Sequence, residues 1–357
     1  MSAPVPATTP SFDWRWVALD DAARWREAVD AVGGDVFHRA WFHRLARWRG
    51  EGLPRLFVFR SAQARVVLPL LLRPIPGSDD IDATSVYGYA GPASVGARTP
   101  ATVRVFQAAL RSSLREAGVL SVFSRMHPLR DESGWLAGLG AMQVGGDTVS
   151  IDLRPSPSQR RAGYRGSHRR EIARLHREGY TVQDESAVEE FADLYAAAMA
   201  RLGAASRYAF CTEQLRAMTH EGGMRLFVVR KGRALAAAGL FTDGASGSHY
   251  FLSGTDPAHR KLAPSKAMID AACDWARARG AQWMHLGGGV GGADDALFRF
   301  KAGFSSRRHV FRTWRWIVRP SAYRSHCERR GVPLDSDFFP AYRSPAKTLT
   351  EAEDSPD

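Results

Sequence analysis

The sequence has few cysteines and no long hydrophobic run. Its three cysteines, Cys211, Cys273 and Cys327, are too few and too scattered for a disulfide scaffold or a cysteine-based zinc site. The longest apolar stretches, at 66–72 and 235–241, have the length of strands, whereas a membrane-spanning helix needs about 20 residues. The first ten residues lack the basic start and apolar run of a secretory signal. We therefore expect a metal-free protein without a transmembrane segment, located in the cytoplasm.

Glycine and proline are not abundant enough to indicate disorder, at 33 and 19 of 357 residues. Hydrophobic residues make up 45% of the chain and charged residues 24%, which is typical of a packed globular protein. A chain of this length exceeds what one ordinary core organises, so the sequence predicts two domains or one large one.

Acidic residues are in the minority, with 37 against 49 lysines and arginines, for a net charge of +12. The segment 154–177 holds eight arginines against one acid, Glu171, and so carries most of the excess. Arginine forks match phosphate geometry, and release of counterions favours binding to nucleic acid. The segment predicts a helix that binds a phosphate-rich ligand, whereas a merely solvated helix face is the alternative. If that ligand is RNA, the expected contacts are Arg165, Arg169, Arg170 and Arg174.

Helical and strand patterns alternate along the whole chain, which indicates an α/β fold. The pattern predicts an N-terminal domain over 1–153, a basic linker helix within 154–178 and a C-terminal domain over 179–345. A disordered acidic tail is expected over 346–357. One helix is predicted from about Ser158 to Glu178, with Gly179 ending it. Another is predicted over 99–117, with Pro100 just inside its start.

A strand, a turn and an alanine-rich helix follow one another between His249 and Arg279. The turn carries Arg260 and Lys261, and the helix begins near Ser265 and Lys266. Unpaired amide groups and the positive dipole end of a helix hold anions, so these four residues are candidate donor-binding residues. An ordinary helix start with an exposed lysine is the alternative.

Five glycines in six residues follow the predicted strand 282–286. Gly287, Gly288 and Gly289 permit positive φ angles and close approach of a ligand to the backbone, so they join the candidate donor site. The segment fits neither a dinucleotide fingerprint nor a phosphate-binding loop with its lysine. A flexible hinge is an equally good interpretation.

A short helix after the glycines places Lys301 between Phe300 and Phe304. Its ammonium group is a candidate for stabilising an oxyanion, although most such lysines are simply solvated. His249, His285 and Asp294 are the candidate general bases, and the alternative for each histidine is a hydrogen-bonded core residue.

Several short motifs, in this order, resemble the Fem-like branch of the GNAT acyltransferase superfamily. They are Ser167-His-Arg-Arg-Glu-Ile172, Leu252-Ser-Gly-Thr255, Pro264-Ser-Lys266, His285-Leu-Gly-Gly-Gly289 and Phe300-Lys-Ala-Gly-Phe304. The resemblance covers most of 155–318 and reaches the first half through Tyr87-Gly-Tyr-Ala-Gly-Pro92. It implies two tandem GNAT-like domains, with mixed, largely antiparallel sheets flanked by helices, and transfer of an acyl group to an amine. It also implies a role for Lys301 at the donor site.

We infer the acyl donor from the resemblance and from one departure from the CoA-binding pattern of GNAT proteins. Fem-like peptidyltransferases use aminoacyl-tRNA, and other members of the branch use acyl-CoA. The CoA-binding turn of GNAT proteins has the pattern Q/R-x-x-G-x-G/A, but here Ala263 and Ser265 stand where the glycines would be, and Pro264 removes an amide. We therefore expect aminoacyl-tRNA as cosubstrate, with no bound cofactor.

Two alternatives stay open: an acyl-CoA-dependent N-acetyltransferase, and a noncatalytic RNA-binding protein on a GNAT scaffold. The expected acceptor is an amine-bearing small molecule or peptide. Aromatic and cationic side chains suit a polar, anionic acceptor, so Tyr87, Tyr89, Arg207 and Tyr208 are its candidate binding residues.

Overall fold

The computed structural model describes residues 12–205, 208–244 and 246–345. Within them the chain forms strands and α-helices in alternation. The strands are β1 (Phe12–Ala18), β2 (Leu53–Ser61), β3 (Ala64–Pro74), β4 (Ile81–Thr84), β5 (Ala93–Gly96), β6 (Val119–Arg125), β7 (Ala141–Asp152), β8 (Tyr180–Asp184), β9 (Arg225–Lys231), β10 (Ala234–Phe241), β11 (Ser248–Thr255), β12 (Trp283–Gly287) and β13 (Arg308–Ile317). The helices are α1 (Ala22–Asp30), α2 (Ala40–Trp48), α3 (Pro100–Glu116), α4 (Pro157–Ala162), α5 (Gly166–Arg177), α6 (Val188–Arg201), α7 (Thr212–His220), α8 (Ser265–Ala278), α9 (Ala296–Ala302) and α10 (Pro320–Arg329). The predicted tail at 346–357 lies outside the described residues.

Helix α3 shows how local sequence sets an element. Thr99 caps its start by accepting a hydrogen bond from the amide of Thr102, and Pro100 occupies the first turn. Gly118, at φ +74°, follows its end. The predicted helix over 99–117 is thus confirmed to within a residue at each end.

The strands form one continuous sheet in the order β1-β2-β3-β4-β6-β13-β7-β12-β11-β10-β9-β8, with β5 paired to β3. In the described residues, β4 pairs with β6 and β11 with β12 in parallel. Neighbouring pairs elsewhere along this order are antiparallel. The predicted mixed, largely antiparallel sheet flanked by helices is confirmed.

The last strand joins the two halves of the sheet. β13 pairs with β6 of the first half on one side and with β7 on the other. β7 then pairs with β12, so the sheet continues into the strands of the second half. Residues from both halves of the sequence therefore meet where β6, β13, β7 and β12 lie side by side.

The predicted single helix over 158–178 is two helices, and this is a correction. Gly163 ends α4, and a turn through Tyr164 and Arg165 leads into α5. The break lets α4 dock on α8, because Arg160 is only 5% exposed and donates to Asp270 at 2.8 Å. A buried guanidinium needs such a carboxylate partner, and a straight helix would not bring the two together.

Hydrophobic clusters lie on both faces of the sheet. One, under α5 and α8, includes Met268, Met284 and Phe304, and another, under α3, includes Phe106 and Trp314. All three cysteines are free thiols. Among the described helices, none is long and apolar enough to cross a bilayer.

Candidate functional site

A cluster of buried polar side chains lies at the junction of the two halves. His249 on β11 and His285 on β12 are paired in register, and their Nδ1 atoms lie 3.2 Å apart. Asp35 and His127 come from the first half, Asp35 just before the turn Val36–His38 and His127 two residues after β6. Asp35 Oδ2 lies 2.7 Å from His249 Nε2 and 2.8 Å from His127 Nε2. One carboxylate thus holds histidines from both halves.

The hydrogen bonds assign the protons when each imidazole carries one. His249 Nε2–H donates to the Asp35 carboxylate, so His249 Nδ1 is an acceptor. His285 must then donate from its own Nδ1 to His249. The other nitrogen, His285 Nε2, is left with a free lone pair, and it is buried with no hydrogen-bond partner among the described residues. His285 Nε2 is therefore a base with a vacant lone pair.

Burial and neighbouring charges set the protonation states. Burial would raise the pKa of Asp35, but His249 and His127 hold it well below its usual range. Burial is also the largest cause of the lowered pKa of His285, and nearby His249, His127 and Lys301 lower it further. Asp35 is thus ionised and His285 neutral at neutral pH, which are the states that the hydrogen bonds require.

Lys301 lies beside this cluster, on α9. It is 8% exposed, and its Nζ donates to the carbonyl of Gly288 at 2.7 Å. Burial lowers its pKa to about 8, while Asp295 opposes that shift. The group is therefore largely an ammonium at pH 7, with two N–H donors beyond the one given to Gly288.

Gly287 lies next to both Lys301 and Tyr89. A Cβ placed on Gly287 would lie 3.3 Å from Lys301 Nζ and 3.6 Å from the Tyr89 hydroxyl oxygen. The Tyr89 ring also packs edge-on against His285, with 5.0 Å between ring centroids. The Lys301 ammonium and the Tyr89 hydroxyl thus both lie within 4 Å of the position that a side chain at 287 would take, and the Tyr89 ring links them to His285.

The other glycines of this loop serve close packing of backbone on backbone. A Cβ on Gly288 would lie 2.6 Å from the Asp147 carbonyl oxygen, and one on Gly292 only 1.7 Å from that of Gly145. One on Gly289 would lie 2.0 Å from the Ala293 carbonyl oxygen. Close contact with β7 explains Gly288 and Gly292, and close contact within the loop explains Gly289, whereas Gly291 has open space around it and a φ of +62°.

Asp294 lies apart from the histidines. Its side chain is 74% exposed and sits 3.6 Å from Arg299. The neighbouring Asp295 caps α9 instead, accepting from the amides of Phe298 and Val290. Asp295 therefore holds the glycine loop to the helix that carries Lys301.

The candidate donor-binding turn before α8 uses its polar groups internally. Arg260 and Lys261 are exposed, Ser265 bonds Thr255 at 2.9 Å, and Lys266 is paired with Glu171 of α5. Ala263 adopts a left-handed conformation at φ +50°, and its amide donates to Arg260. The amides of Lys266 and Ala267 also donate within the turn. The amides of Ala263, Lys266 and Ala267 are thus already engaged, whereas the side chains of Arg260 and Lys261 stay in solvent.

The aromatic acceptor candidates come together. Tyr87 contacts Tyr208, with ring centroids 5.6 Å apart, and Phe251, also at 5.6 Å. Tyr89 contacts the histidine cluster from the same loop. The fourth candidate, Arg207, lies outside the described residues.

The arginines of α5 remain on the surface. Arg165, Arg169, Arg170 and Arg174 are exposed, and Arg174 pairs with Glu178. We call these four residues the α5 arginine face. The amide of Arg165 donates to Gly303 at 2.7 Å, so this face begins beside the helix that carries Lys301.

The ligand atoms of Asp35, His127 and His249 lie within 4.8 Å of one another, close enough for a metal site. His127 argues against that use. Its Nδ1 accepts a hydrogen bond from the amide of Leu129 at 3.2 Å, so its proton sits on Nε2, facing Asp35. A metal would need the lone pair that this proton occupies.

Asp35 and His127 were not candidates in the sequence analysis. Neither belongs to a recognisable motif, and each is more than 120 residues from His249 along the chain. Only the return of β13 and β7 through the middle of the sheet brings them to His249, and no local sequence signal encodes that arrangement.

Residues 162–302 match the acetyltransferase (GNAT) domain family model. No curated protein sequence matches the chain. The fold is similar to the crystal structure of FemX, at 13% identity and a TM-score of 0.66, over 88% of this chain and 99% of that one. It is also similar to L-PGS from Bacillus licheniformis, at 14% identity and a TM-score of 0.54, over 82% and 91%.

A third similar structure is the C-terminal domain of a putative lysylphosphatidylglycerol synthetase from Agrobacterium fabrum. It is 14% identical, with a TM-score of 0.52, over 83% of this chain and 92% of that one. The predicted fold of two GNAT-like domains in tandem is confirmed.

Proposed function

We propose that this chain, a GNAT-type acyltransferase with the fold of FemX, moves an aminoacyl group from aminoacyl-tRNA to an amine acceptor and forms an amide bond. One contact carries the choice of donor: the hydrogen bond from Arg165 to Gly303 sets the α5 arginine face beside the Lys301 helix. Phosphates bound along that face would leave the 3′ end of an RNA near Lys301.

The chemistry takes place in the space beside Gly287. The neutral amine attacks the ester carbonyl, a C–N bond forms, and the amine proton passes to His285 Nε2. Lys301 and Tyr89 donate hydrogen bonds to the oxygen that becomes negative. The ester C–O bond then breaks, and the leaving ribose oxygen accepts from His285 the proton that the amine gave up.

Asp35 and His249 position the base. The ionised Asp35 keeps the proton of His249 on Nε2, and His249 in turn keeps the proton of His285 on Nδ1. When His285 becomes positively charged, the carboxylate two hydrogen bonds away offsets that charge. This order of roles resembles a catalytic triad with one additional imidazole.

The acyl-CoA alternative has one observation in its favour, the acetyltransferase description of the matching family model. Against it stands the turn before α8, where Pro264 lacks an amide and the amides of Ala263 and Lys266 are engaged. Acetyl-CoA should then bind no more tightly than about millimolar, or roughly −4 kcal/mol.

The test supplies both donors to the purified protein. A mixture of labelled aminoacyl-tRNAs, or labelled acetyl-CoA, is incubated with a short peptide that has a free amino terminus. We expect label to reach the peptide from aminoacyl-tRNA, to be lost after ribonuclease treatment, and to fall strongly in Lys301→Met. Transfer from acetyl-CoA alone would overturn the proposed donor, and tight salt-dependent RNA binding without any transfer would overturn catalysis.

A further inference from the structure

A second cavity lies away from the histidine cluster, beneath the C-terminal segment. Its volume is about 710 Å³, which is within the range of small-molecule sites. Strands β3, β6 and β13 form its floor, and α10 with the residues around Phe339 forms its cover. The lining includes six arginines: Arg73, Arg125, Arg315, Arg329, Arg330 and Arg343.

Few carboxylates balance these guanidinium groups. Asp82, whose side chain is 1% exposed, accepts from both Arg73 and Arg343, at 2.8 and 2.5 Å. Among the described residues the lining contains one acid, the exposed Asp337. The six arginines of the lining thus outnumber the three carboxylates around it, those of Asp80, Asp82 and Asp337, which favours binding of an anion.

Several of these arginines are held by groups without charge. Arg315 donates from Nη1 to the Asp337 carbonyl, and Arg330 donates to that of Ser344. Arg329 donates to the ring of His326 at 2.9 Å, while His326 itself is held by Asp80. Their charges remain available to a ligand, and their orientations are already set.

Arg315 also has a donor that nothing satisfies. Its Nε is buried, with no hydrogen-bond partner among the described residues. A buried N–H group without an acceptor lowers the stability of the folded state, and native structures rarely contain one. Arg315 lines the cavity, so a small turn of its side chain would bring this N–H to an anion bound there.

We propose that this cavity binds a small phosphorylated ligand, with phosphate oxygens accepting from Arg315, Arg329 and neighbouring guanidiniums. Planar guanidinium forks match phosphate oxygens in pairs, and a volume of about 710 Å³ accommodates a group larger than one phosphate. Arg125, at the end of β6, lies two residues before His127 in the sequence, so β6 connects the cavity with the histidine cluster. The phosphate could belong to an independent ligand or to the distal end of a substrate.

Calorimetry without any acyl donor tests this site, so its outcome is independent of the transfer reaction. The probes are inorganic pyrophosphate and ADP. We expect micromolar binding that weakens at least tenfold in Arg315→Gln and in Arg329→Gln. Arg324→Gln is the matched control, since Arg324 is exposed on the same helix and does not line the cavity. If ADP binds no more tightly than pyrophosphate, the cavity recognises only the phosphates. If ADP binds more tightly, the nucleoside also contributes to the affinity.

Absence of pyrophosphate binding to the unchanged protein would overturn the site. So would equal weakening by Arg324→Gln, or weakening by substitutions on the α5 arginine face instead. Melting temperature is measured for each variant. If Arg315→Gln does not fold, the exposed Arg329 decides the question, because its substitution leaves the sheet intact.

Discussion

Lys301 combines a charged end group with a buried position, and this combination is unusual for a lysine. Its stem is held within the C-terminal half while its ammonium faces Gly287 and Tyr89. A purely structural lysine would be paired with a carboxylate, as Lys266 is with Glu171. Lys301 instead donates to the backbone carbonyl of Gly288, and under the proposed mechanism its charge serves a substrate oxygen.

Replacing Lys301 with methionine should lower single-turnover transfer by about 10²–10³, or roughly 3–4 kcal/mol of transition-state stabilisation. The stem survives in Lys301→Met, so the melting temperature should change little. Lys301→Arg should restore only part of the rate, because the planar fork cannot place a donor at the same point.

The pH profile gives a second readout for Lys301. Its pKa is lowered to about 8, so the ammonium is present below that pH and is lost above it. We expect a descending limb of the rate near pH 8, absent in Lys301→Arg because arginine stays charged. A rate of Lys301→Met within a few-fold of the unchanged protein would mean that the residue has no catalytic role.

Asp35 acts through other residues, so it is a positioning residue. In Asp35→Asn an amide N–H can face His249 Nε2, which forces the proton of His249 onto Nδ1 and that of His285 onto Nε2. The base is then blocked, and we expect kcat to fall by about 10²–10⁴ with KM nearly unchanged. Steady-state kinetics of transfer measures both quantities.

Asp30→Asn is the matched control, because Asp30 is a half-exposed carboxylate nearby that pairs only at the surface with Arg39. If Asp35→Asn does not fold, His285→Gln removes the base directly. A kcat close to that of the unchanged protein in either variant would contradict the assigned proton path.

At this scale the sequence supplied candidates from the second half of the chain. His249 and His285 lie on predicted strands and Lys301 follows the glycines, so local patterns could mark them, and their roles stay predictions. Asp35 and His127 could not be predicted, since their role depends on strand order. Tyr89 was predicted from its loop, and its contact with His285 was visible only in the fold.

Among the elements, α4 and α5 show what helical patterning misses. A single glycine is tolerated within helices, so Gly163 did not mark a break in the sequence. The break separates two classes of arginine. Arg160 and Arg161 bond Asp270 and Asp274 on α8, whereas the α5 arginine face stays in solvent. The predicted RNA contacts all fall in the second class.

Replacing Arg165, Arg169 and Arg170 together with glutamine should weaken RNA affinity and flatten its salt dependence. Each lost phosphate contact removes about 0.9 from the slope of log affinity against log salt on a duplex, so a change of roughly 1 to 3 is expected. Affinity for tRNA at several salt concentrations measures this slope.

The control for this experiment is a triple substitution of Arg26, Arg104 and Arg115, which are equally exposed but lie on α1 and α3. It removes the same charge and should leave most of the slope unchanged. Equal slopes for the unchanged protein and the α5 variant would make the α5 arginine face a solvated surface only.

Across the whole molecule, the continuous sheet is the feature that the sequence did not reveal. Alternating helices and strands predicted two units, and each strand of the second half was recognisable by its pattern. The insertion of β13 between β6 and β7 was not, because these strands pair through residues more than 150 positions apart in the sequence. That insertion places buried histidines of both halves around one junction.

Two other buried histidines, His38 and His43, make stability depend on pH. Burial lowers the pKa of His38 to about 4 and that of His43 to about 3, while unfolded histidine has a pKa near 6.5. Protonation therefore favours the unfolded chain, so their contribution is complete above pH 7 and is lost as the pH falls below 6.5. Each should cost about 2 kcal/mol of unfolding free energy at pH 5.

Urea unfolding at pH 7.5 and pH 5 measures this loss, and a His43→Gln variant separates it from general charge repulsion at a net charge of +12. His43 donates only to the Phe37 carbonyl, at 3.0 Å, and a glutamine keeps a donor there without titrating. The difference between the two pH values should shrink by about 2 kcal/mol in that variant. A variant as sensitive to acid as the unchanged protein would show that repulsion among the surface arginines, and not buried histidine, limits stability at low pH.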